Sequence, residues 1–597
     1  MSEQSLARMF WNRVEKSANA PGQQFKDRGA WKTLTWREVG DAVRELATGL
    51  IALGRRPGEA VGILSTSRAE WVQADFAIFS AGCITIPVYP TYPPDLIQYI
   101  VNDAGVKTLI VEDPTQLAKV LEVDAAMPGL EQIVIMHGYE GREPSPRIVT
   151  WEALRRLGRE KAETLKVELA SRVDGIKRED IATIVYTSGT TGPPKGVVQT
   201  HGNHLSALES ADQTTSIAEG EVHLLFLPLA HSFARLESFI GVHGGLCTAF
   251  AENIDKLREN LPETRPHFIC SVPRVFEKVY AGAMARAEGG SLVKRKIFHW
   301  AVAVGKEVSR LKQANRPVPT GLAVKYRLAE KLVFSRMQAA LGGRLRFAVS
   351  GGAPLSREIA EFFHAAGILI LEGYGLTETC PVLTNNRMDA FKFGSVGKPL
   401  PGVDVKIAAD GEILGRGGNI AKGYFKKADA TREVFLDDGW FATGDIGRFD
   451  EDGFLFITDR KKDLIVTAGG MNIAPQNIEN LLKGDPFISQ VMVHGDRRPY
   501  PVALITLNPE ELAKFARAQG IMASDPSVLA KHPKVLERVQ RTVDHKNSEL
   551  QSYAKIKKFA ILPDDFTVEN GALTPTLKVK RKVISERHRP VLDALYQ

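Results

Sequence analysis

The sequence predicts an α/β protein: a large N-terminal region of layered sheets and helices, a β-rich stretch, and a small α+β region at the end. Three observations predict it. Apolar, β-branched runs alternate with helical segments up to about residue 394, the pattern of α/β layers with largely parallel sheets. From there short strand-like runs are split by turn residues. After the charged run DRKKD (459–463) the pattern mixes α and β to the end, which places a candidate boundary at that run.

In chain order, WREVGDAVRELATGLIAL is the first strongly helical segment. AVGILS, CITIPVY, KTLIVED and EQIVIMH read as buried strands, followed by IATIVYT, HLLFLPL, FICSVP, LRFAVSGG and GILILEGYG. GSVGKPLPGVDVKI, DDGWFATGD and EDGFLFI form the β-rich stretch, about 394–458. Apolar residues make up 44% and charged residues 25% of the 597, which fits a soluble globular chain. MSEQSLARMFWNRVEK carries no basic-then-apolar signal pattern, and no apolar run reaches the ~20 residues of a membrane span. Cys83, Cys247, Cys270 and Cys380 are far apart, without metal-ligand spacing. They point to a reducing cytoplasm rather than disulfides or zinc.

The formal charge of +7 is concentrated in one place. Residues 281–344 hold thirteen Lys and Arg against three Glu; that local +10 leaves −3 for the rest of the chain. A single patch argues against a general nucleic-acid binder. The segment is mostly helical in pattern, with Leu322, Tyr326, Leu328, Leu332, Val333 and Met337 expected on one apolar face. Two readings stay open: a helix packed on the body with a solvated basic side, or peripheral attraction to an anionic inner-membrane surface. An oligomer is equally open.

TSGTTGPPKG (187–196) lies between two buried strands and is the segment most suggestive of chemistry. Its glycines allow close backbone approach, and its amide N–H groups and hydroxyls can surround an anion. Lys195 adds a point charge suited to phosphate. It is not a Walker A loop, because Lys195 follows two prolines and precedes glycine. On residues alone it is a phosphate cradle or a tight turn.

YTSGTTGPPKGVV closely resembles the signature loop of the adenylate-forming synthetases, which include acyl-CoA synthetases, luciferases and peptide-synthetase adenylation domains. Further motifs follow in that family's order: SGGAPL (350–355), EGYGLTET (372–379), GWFATGD (439–445) and DRKKDLIVTAGGMNIAP (459–475). The resemblance spans nearly the whole chain. It implies an N-terminal adenylation domain over 1–461 with a β-barrel-like subdomain, and a small mobile C-terminal domain over 462–597. It also implies roles. Thr187, Ser188, Gly189, Thr190, Thr191, Gly192 and Lys195 would grip the ATP β- and γ-phosphates. Gly351, Gly352, Ala353 and Pro354 would face adenine opposite Tyr374, which lies in the second nucleotide motif with Gly373, Gly375, Leu376 and Thr377. Glu378 would be the Mg²⁺-associated carboxylate. Asp445 would accept from the ribose hydroxyls, assisted by Arg460.

The resemblance further assigns Lys462 as hinge and Gly469 and Gly470 as the passage for coenzyme A. Lys578 in TLKVKR would be the catalytic lysine, although Leu577 stands where the family usually has glycine, which leaves Lys580 as the alternative register. In LPLAHSFARLESF, His231 would orient the substrate carboxylate while Phe233 and Arg235 line the acyl pocket. Ala234 stands where amino-acid-activating relatives carry aspartate. SVPRVFEKVY (271–280) and the basic helical insert resemble the long-chain acyl-CoA synthetase branch. The implied activity is AMP-forming ligation of a long-chain fatty acid to coenzyme A, with ATP and Mg²⁺. Loading of a carrier protein, or a medium-chain or aryl acid, remains an alternative.

Overall fold

The structure, a computed structural model, describes residues 3–139, 147–187, 193–468, 471–567, 569–574 and 579–597. Two large sheets dominate it. In the first, of eight strands, Ile84–Val88, Ala60–Leu64, Val106–Val111, Gln132–Ile135 and Ile148–Thr150 run parallel. Ile181–Thr187 joins them beside Ile84–Val88 and pairs antiparallel with Lys195–Thr200. Gly423–Tyr424 closes that edge. In the second sheet Cys247–Phe250, Val222–Leu225, Phe268–Ser271, Phe347–Ser350 and Leu369–Tyr374 are parallel. Continuous burial of AVGIL and FICS is what two-sided covering by helices demands.

The register Thr187 opposite Lys195 fixes the two ends of the glycine-rich segment across a buried hairpin. The next helix, His201–Asp212, starts where Thr200 and Asn203 form a capping box: Thr200 Oγ1 accepts from Asn203 N–H at 3.1 Å, and Asn203 Oδ1 accepts from Thr200 N–H at 2.9 Å. Asn203 Nδ2 also donates to the carbonyls of Gly418 and Ile420, both at 2.8 Å. One side chain thus ties the hairpin exit to the β-rich stretch. That stretch, expected to be barrel-like, forms a four-stranded antiparallel sheet of Val403–Ile407, Glu412–Gly417, Phe441–Phe449 and Leu455–Arg460.

Beyond Lys462, Ile488–His494, Val502–Leu507 and Lys558–Leu562 form a small sheet with its own core around Ile478, Val491, Ile505 and Val539. Arg274 reaches this part, donating to Ser489 Oγ at 2.8 Å.

The basic segment is helical, as expected: Pro273–Glu288, Leu292–Gln313, then Thr320–Ala329 running through a π turn (Glu330–Phe334) into Ser335–Ala340. Its apolar face needs correction. Leu322, Tyr326, Val333 and Met337 pack against the core, but Leu328 and Leu332 are exposed. At about 100° per residue, Leu328 falls about 200° around from Tyr326, on the far side of the helix. The inner positions between them belong to Ala329 and Phe334, both fully buried. Val324, Leu328 and Leu332 therefore form an outward ridge at i, i+4, i+8, beside exposed Lys325, Arg327, Lys331 and Arg336.

Candidate active site

The sheet ends bring four of the motifs together. Lys195 begins the second strand of the hairpin, and its Nζ lies 4.9 Å from the ring centroid of Tyr424, within cation–π range. Tyr424 sits on the neighbouring strand and donates from its hydroxyl to Glu378 Oε1 at 2.8 Å. Burial and the Glu378 carboxylate both raise the Tyr424 phenol, so it stays protonated and remains a donor. A cation, a phenol and a carboxylate thus form one chain at the mouth of the hairpin. Sequence reasoning missed Tyr424; the glycine before it, at φ 135°, was the one local signal that this aromatic occupies a constrained place.

Glu378 sits in the one-turn segment Thr377–Thr379 and is largely buried. The turn is held from outside: Gln199 Nε2 donates to the Thr377 carbonyl at 2.6 Å, and Asn419 Nδ2 to the Thr379 carbonyl at 3.0 Å. Leu376 N–H donates to Thr379 Oγ1 at 2.9 Å. Gly375 has no room for a side chain, because a Cβ there would stand 2.0 Å from the Pro381 carbonyl oxygen. One carboxylate suits Mg²⁺, which keeps several waters and takes one or two protein carboxylates beside phosphate oxygens. Among the described residues no group of three or more His, Cys, Asp or Glu gathers into a metal-binding cluster.

Tyr374 ends the strand Leu369–Tyr374, one residue beyond Gly373, and is buried. Its hydroxyl donates to Asp445 Oδ2 at 2.7 Å. Asp445 and Arg460 are cross-strand partners, with Arg460 Nε 3.3 Å from Asp445 Oδ1. Thr443 Oγ1 accepts from the Asp445 N–H at 3.1 Å. The three residues expected around adenosine are therefore assembled, from strands 71 positions apart in sequence.

Gly351 follows the adjacent strand, Phe347–Ser350, and a Cβ there would meet the Phe233 ring at 3.1 Å. Phe233 and the 350–355 loop are therefore neighbours. Gly352 takes φ 79°, while Ala353 and Pro354 are exposed. Glu372, the second residue missed, supports this loop: its Oε2 accepts from Leu355 N–H at 3.1 Å. Burial pushes the Glu372 carboxyl up to about 7, opposed by the Leu355 and Gly394 N–H groups. His231 is the cap of helix Ser232–Gly244; its Nδ1 accepts from Phe233 N–H at 3.2 Å, which puts the proton of the neutral ring on Nε2.

Arg235 is the clear departure from expectation. It does not line a pocket; it is 1% exposed and forks onto Asp75, Nη2 lying 2.8 and 2.7 Å from the two carboxylate oxygens. Nη1 donates to Thr183 Oγ1 at 2.6 Å, and the guanidinium packs among Trp71, Phe79 and Phe239. Burial pushes Asp75 up while Arg235 pulls it back. A charge so deep must be paired, and its partner stands 160 residues away. Arg235→Ala is expected to cost about 3–5 kcal/mol of stability, because it strands the Asp75 charge; chemical denaturation measures that loss.

Lys462 is exposed next to Lys461, which bridges Asp410 at 2.6 Å and Glu412 at 2.8 Å. Ser188, Gly189, Thr190, Thr191, Gly192, Gly469, Gly470 and Lys578 lie outside the described residues. Lys580 caps the helix Arg581–Arg587, its N–H donating to the Ala572 carbonyl at 2.9 Å.

Comparison with known proteins extends the geometry. A sequence profile described as AMP-binding enzyme matches residues 10–425, and one described as AMP-binding enzyme C-terminal domain matches 462–597. The chain is 40% identical to the long-chain-fatty-acid–CoA ligase FadD15 of Mycobacterium bovis over 95% of its own length and 93% of that protein's. It is 33% identical to long chain acyl-CoA synthetase 7, peroxisomal, of Arabidopsis thaliana, covering 96% and 83% of the two chains. Its fold matches the crystal structure of the anthranilate CoA ligase AuaEII in complex with anthranoyl-AMP, with a TM-score of 0.74, 20% identity, and coverage of 99% and 98%.

Proposed function

The chain belongs to the AMP-binding enzyme family, and on that premise we propose that it is an ATP-dependent, AMP-forming long-chain fatty acid–CoA ligase. One observation carries the reading. Tyr424 links Lys195 to Glu378 beside the glycine-rich hairpin, while Tyr374 and Arg460 converge on Asp445. Those two clusters are what a nucleotide needs at its phosphate end and its sugar end.

In the proposed first half-reaction a carboxylate oxygen attacks the α-phosphorus of ATP. The new acyl–phosphate bond forms as the bond to the β-phosphate oxygen breaks, and pyrophosphate leaves. The 187–195 segment holds the terminal phosphates, Asp445 accepts from the ribose hydroxyls, and His231 orients the incoming carboxylate. Glu378 would hold Mg²⁺, which when bound offsets phosphate charge. Lys578 stabilises the charge that grows on the transferring group. Residues 462–597 then turn about Lys462, the Gly469–Gly470 segment faces the acyl-adenylate, and the CoA sulfur attacks the acyl carbon with AMP leaving.

Phe347 and Val349 share one face of the strand Phe347–Ser350, because side chains alternate along a strand. With Leu371, Met388, Thr214, Thr215, Asn385 and Asn386 they line a small cleft beside the strand, its exposed surface mostly apolar. Transfer to a carrier-protein thiol is the rival for the second step; comparing thioester formation with CoA and with a phosphopantetheinylated carrier protein decides between them, and CoA is expected to be used.

The substrate also partitions into bilayers, and among the described residues no helix is long and apolar enough to cross one. Peripheral contact through the ridge Val324–Leu328–Leu332 and its basic flank fits an anionic surface. The wild-type protein is expected to co-sediment with vesicles rich in phosphatidylglycerol and to lose at least about fivefold of that binding in a Val324, Leu328, Leu332→Ser variant. Equal binding to neutral vesicles, or no loss in the variant, would contradict it.

A further inference from the structure

The two strands of the glycine-rich hairpin are fastened, close to Lys195, to one helix that none of the proposed chemical steps uses. Helix Pro94–Ala104 follows strand Ile84–Val88 and stops at Gly105, whose φ of 67° ends it in a left-handed turn. Ile97, Ile100, Val101 and Ala104 bury its inner face. Tyr99 and Asp103 stand four positions apart, so they share another face. Tyr99 donates from its hydroxyl to the Pro194 carbonyl at 3.1 Å. Asp103 Oδ2 accepts from the Tyr186 hydroxyl at 2.6 Å.

Both contacts grip the hairpin beside Lys195. Thr187 pairs with Lys195 and Tyr186 with Gly196 across the strands. Pro194 is thus the residue before Lys195, and Tyr186 the residue before its cross-strand partner. Gly196 leaves room for the Tyr186 ring, which a Cβ there would meet at 3.1 Å. Pro194 is buried and brings no N–H, so its carbonyl is its one backbone hydrogen-bonding group. Burial first and then the Asp103 carboxylate raise the Tyr186 phenol, and the same two causes raise Tyr99, so both stay protonated donors. The two rings also meet edge to face, their centroids 6.3 Å apart. A third tie comes from Lys426, two residues beyond Tyr424, whose Nζ donates to the Asp103 carbonyl at 2.7 Å. That tie is exposed, where competing water weakens it.

A side chain keeps its place only as firmly as the backbone that carries it, and a misplacement of about 1 Å can cost about 10²-fold in rate. We propose that Tyr99 and Asp103 clamp the hairpin onto helix Pro94–Ala104 and so set where Lys195 stands relative to Tyr424 and Glu378. They are positioning residues: they act through Pro194 and Tyr186 rather than on a reacting atom. The clamp itself stands on these contacts; only its consequence for ATP rests on the proposed ligase function.

Tyr99→Phe keeps the ring and removes only the hydroxyl. Asp103→Ala removes the acceptor, and Asp103→Asn restores one in its amide oxygen. In the full-length protein without nucleotide, hydrogen–deuterium exchange reads the opening of the hairpin strands, residues 181–187 and 194–200. It is expected to be at least about threefold faster in Tyr99→Phe and Asp103→Ala, and within about twofold of wild type in Asp103→Asn. Exchange of labelled pyrophosphate into ATP reads the consequence. In Tyr99→Phe the half-saturating ATP concentration is expected to rise at least about fivefold, with that of the fatty acid within about twofold and the melting temperature unchanged within a few degrees. Unchanged hydrogen exchange in Tyr99→Phe, or Asp103→Asn as fast as Asp103→Ala, overturns the clamp. Faster hydrogen exchange with an unmoved ATP requirement, or with an equal rise for the fatty acid, overturns its part in the reaction. A wild-type protein without acid-dependent pyrophosphate exchange would instead remove the ligase reading and leave the hydrogen-exchange result standing.

Discussion

Replacing Lys578 by alanine is expected to slow acyl-AMP formation by about 10²–10³-fold, the usual loss when one preorganised charge-stabilising group is removed from a transition state. Transfer from supplied acyl-AMP to CoA is expected to stay within about threefold of wild type, because a step that lacks the interaction does not lose it. The separation follows from the proposed turn about Lys462, which takes this lysine away before the thiol arrives. Lys580→Ala is the matched control. Its backbone caps the helix Arg581–Arg587, so its side chain is expected to matter little. If Lys580→Ala lost adenylation and Lys578→Ala kept it, the register of TLKVKR would be two residues off. Single-turnover measurement of both half-reactions in both variants decides this.

Glu378→Gln carries the second large effect. Glutamine keeps the shape and can still accept from the Tyr424 hydroxyl, but the negative charge is gone. Adenylation is expected to fall by about 10²–10³-fold, with the Mg²⁺ concentration for half-maximal rate raised, since a hard divalent cation favours a charged oxygen. Supplied acyl-AMP is again expected to react with CoA at nearly the normal rate, because pyrophosphate has already left. Loss of both half-reactions together, with a lowered melting temperature, would make Glu378 a structural residue of its turn.

What could be read in the sequence follows from what is local. The hairpin around residues 181–200 was legible because β-branched runs bracket a glycine-rich segment, a short-range pattern. So was the alternation that builds the two large sheets. The nucleotide motifs were legible as a resemblance, and Tyr374, Asp445 and Arg460 do meet. Contacts made at a distance were not. Nothing near Arg235 announces Asp75, so a buried ion pair passed for a pocket residue. Tyr424 joins the site only because its two-residue strand pairs with Val197 and Val198. Leu328 and Leu332 were grouped with Tyr326 on composition, while the helical angle puts them outside. Side chains fixed by tertiary pairing have no local spacing to betray them.

The central claim is that residues 187–195, Glu378, Asp445 and Tyr374 hold ATP while a fatty carboxylate takes its AMP. Exchange of labelled pyrophosphate into ATP tests it most directly, because it needs only the reversible first half-reaction and no CoA. Exchange that depends on a long-chain fatty acid, and that Glu378→Gln and Lys578→Ala suppress, is the predicted result. No exchange with any carboxylic acid, from short to very long, would contradict the account.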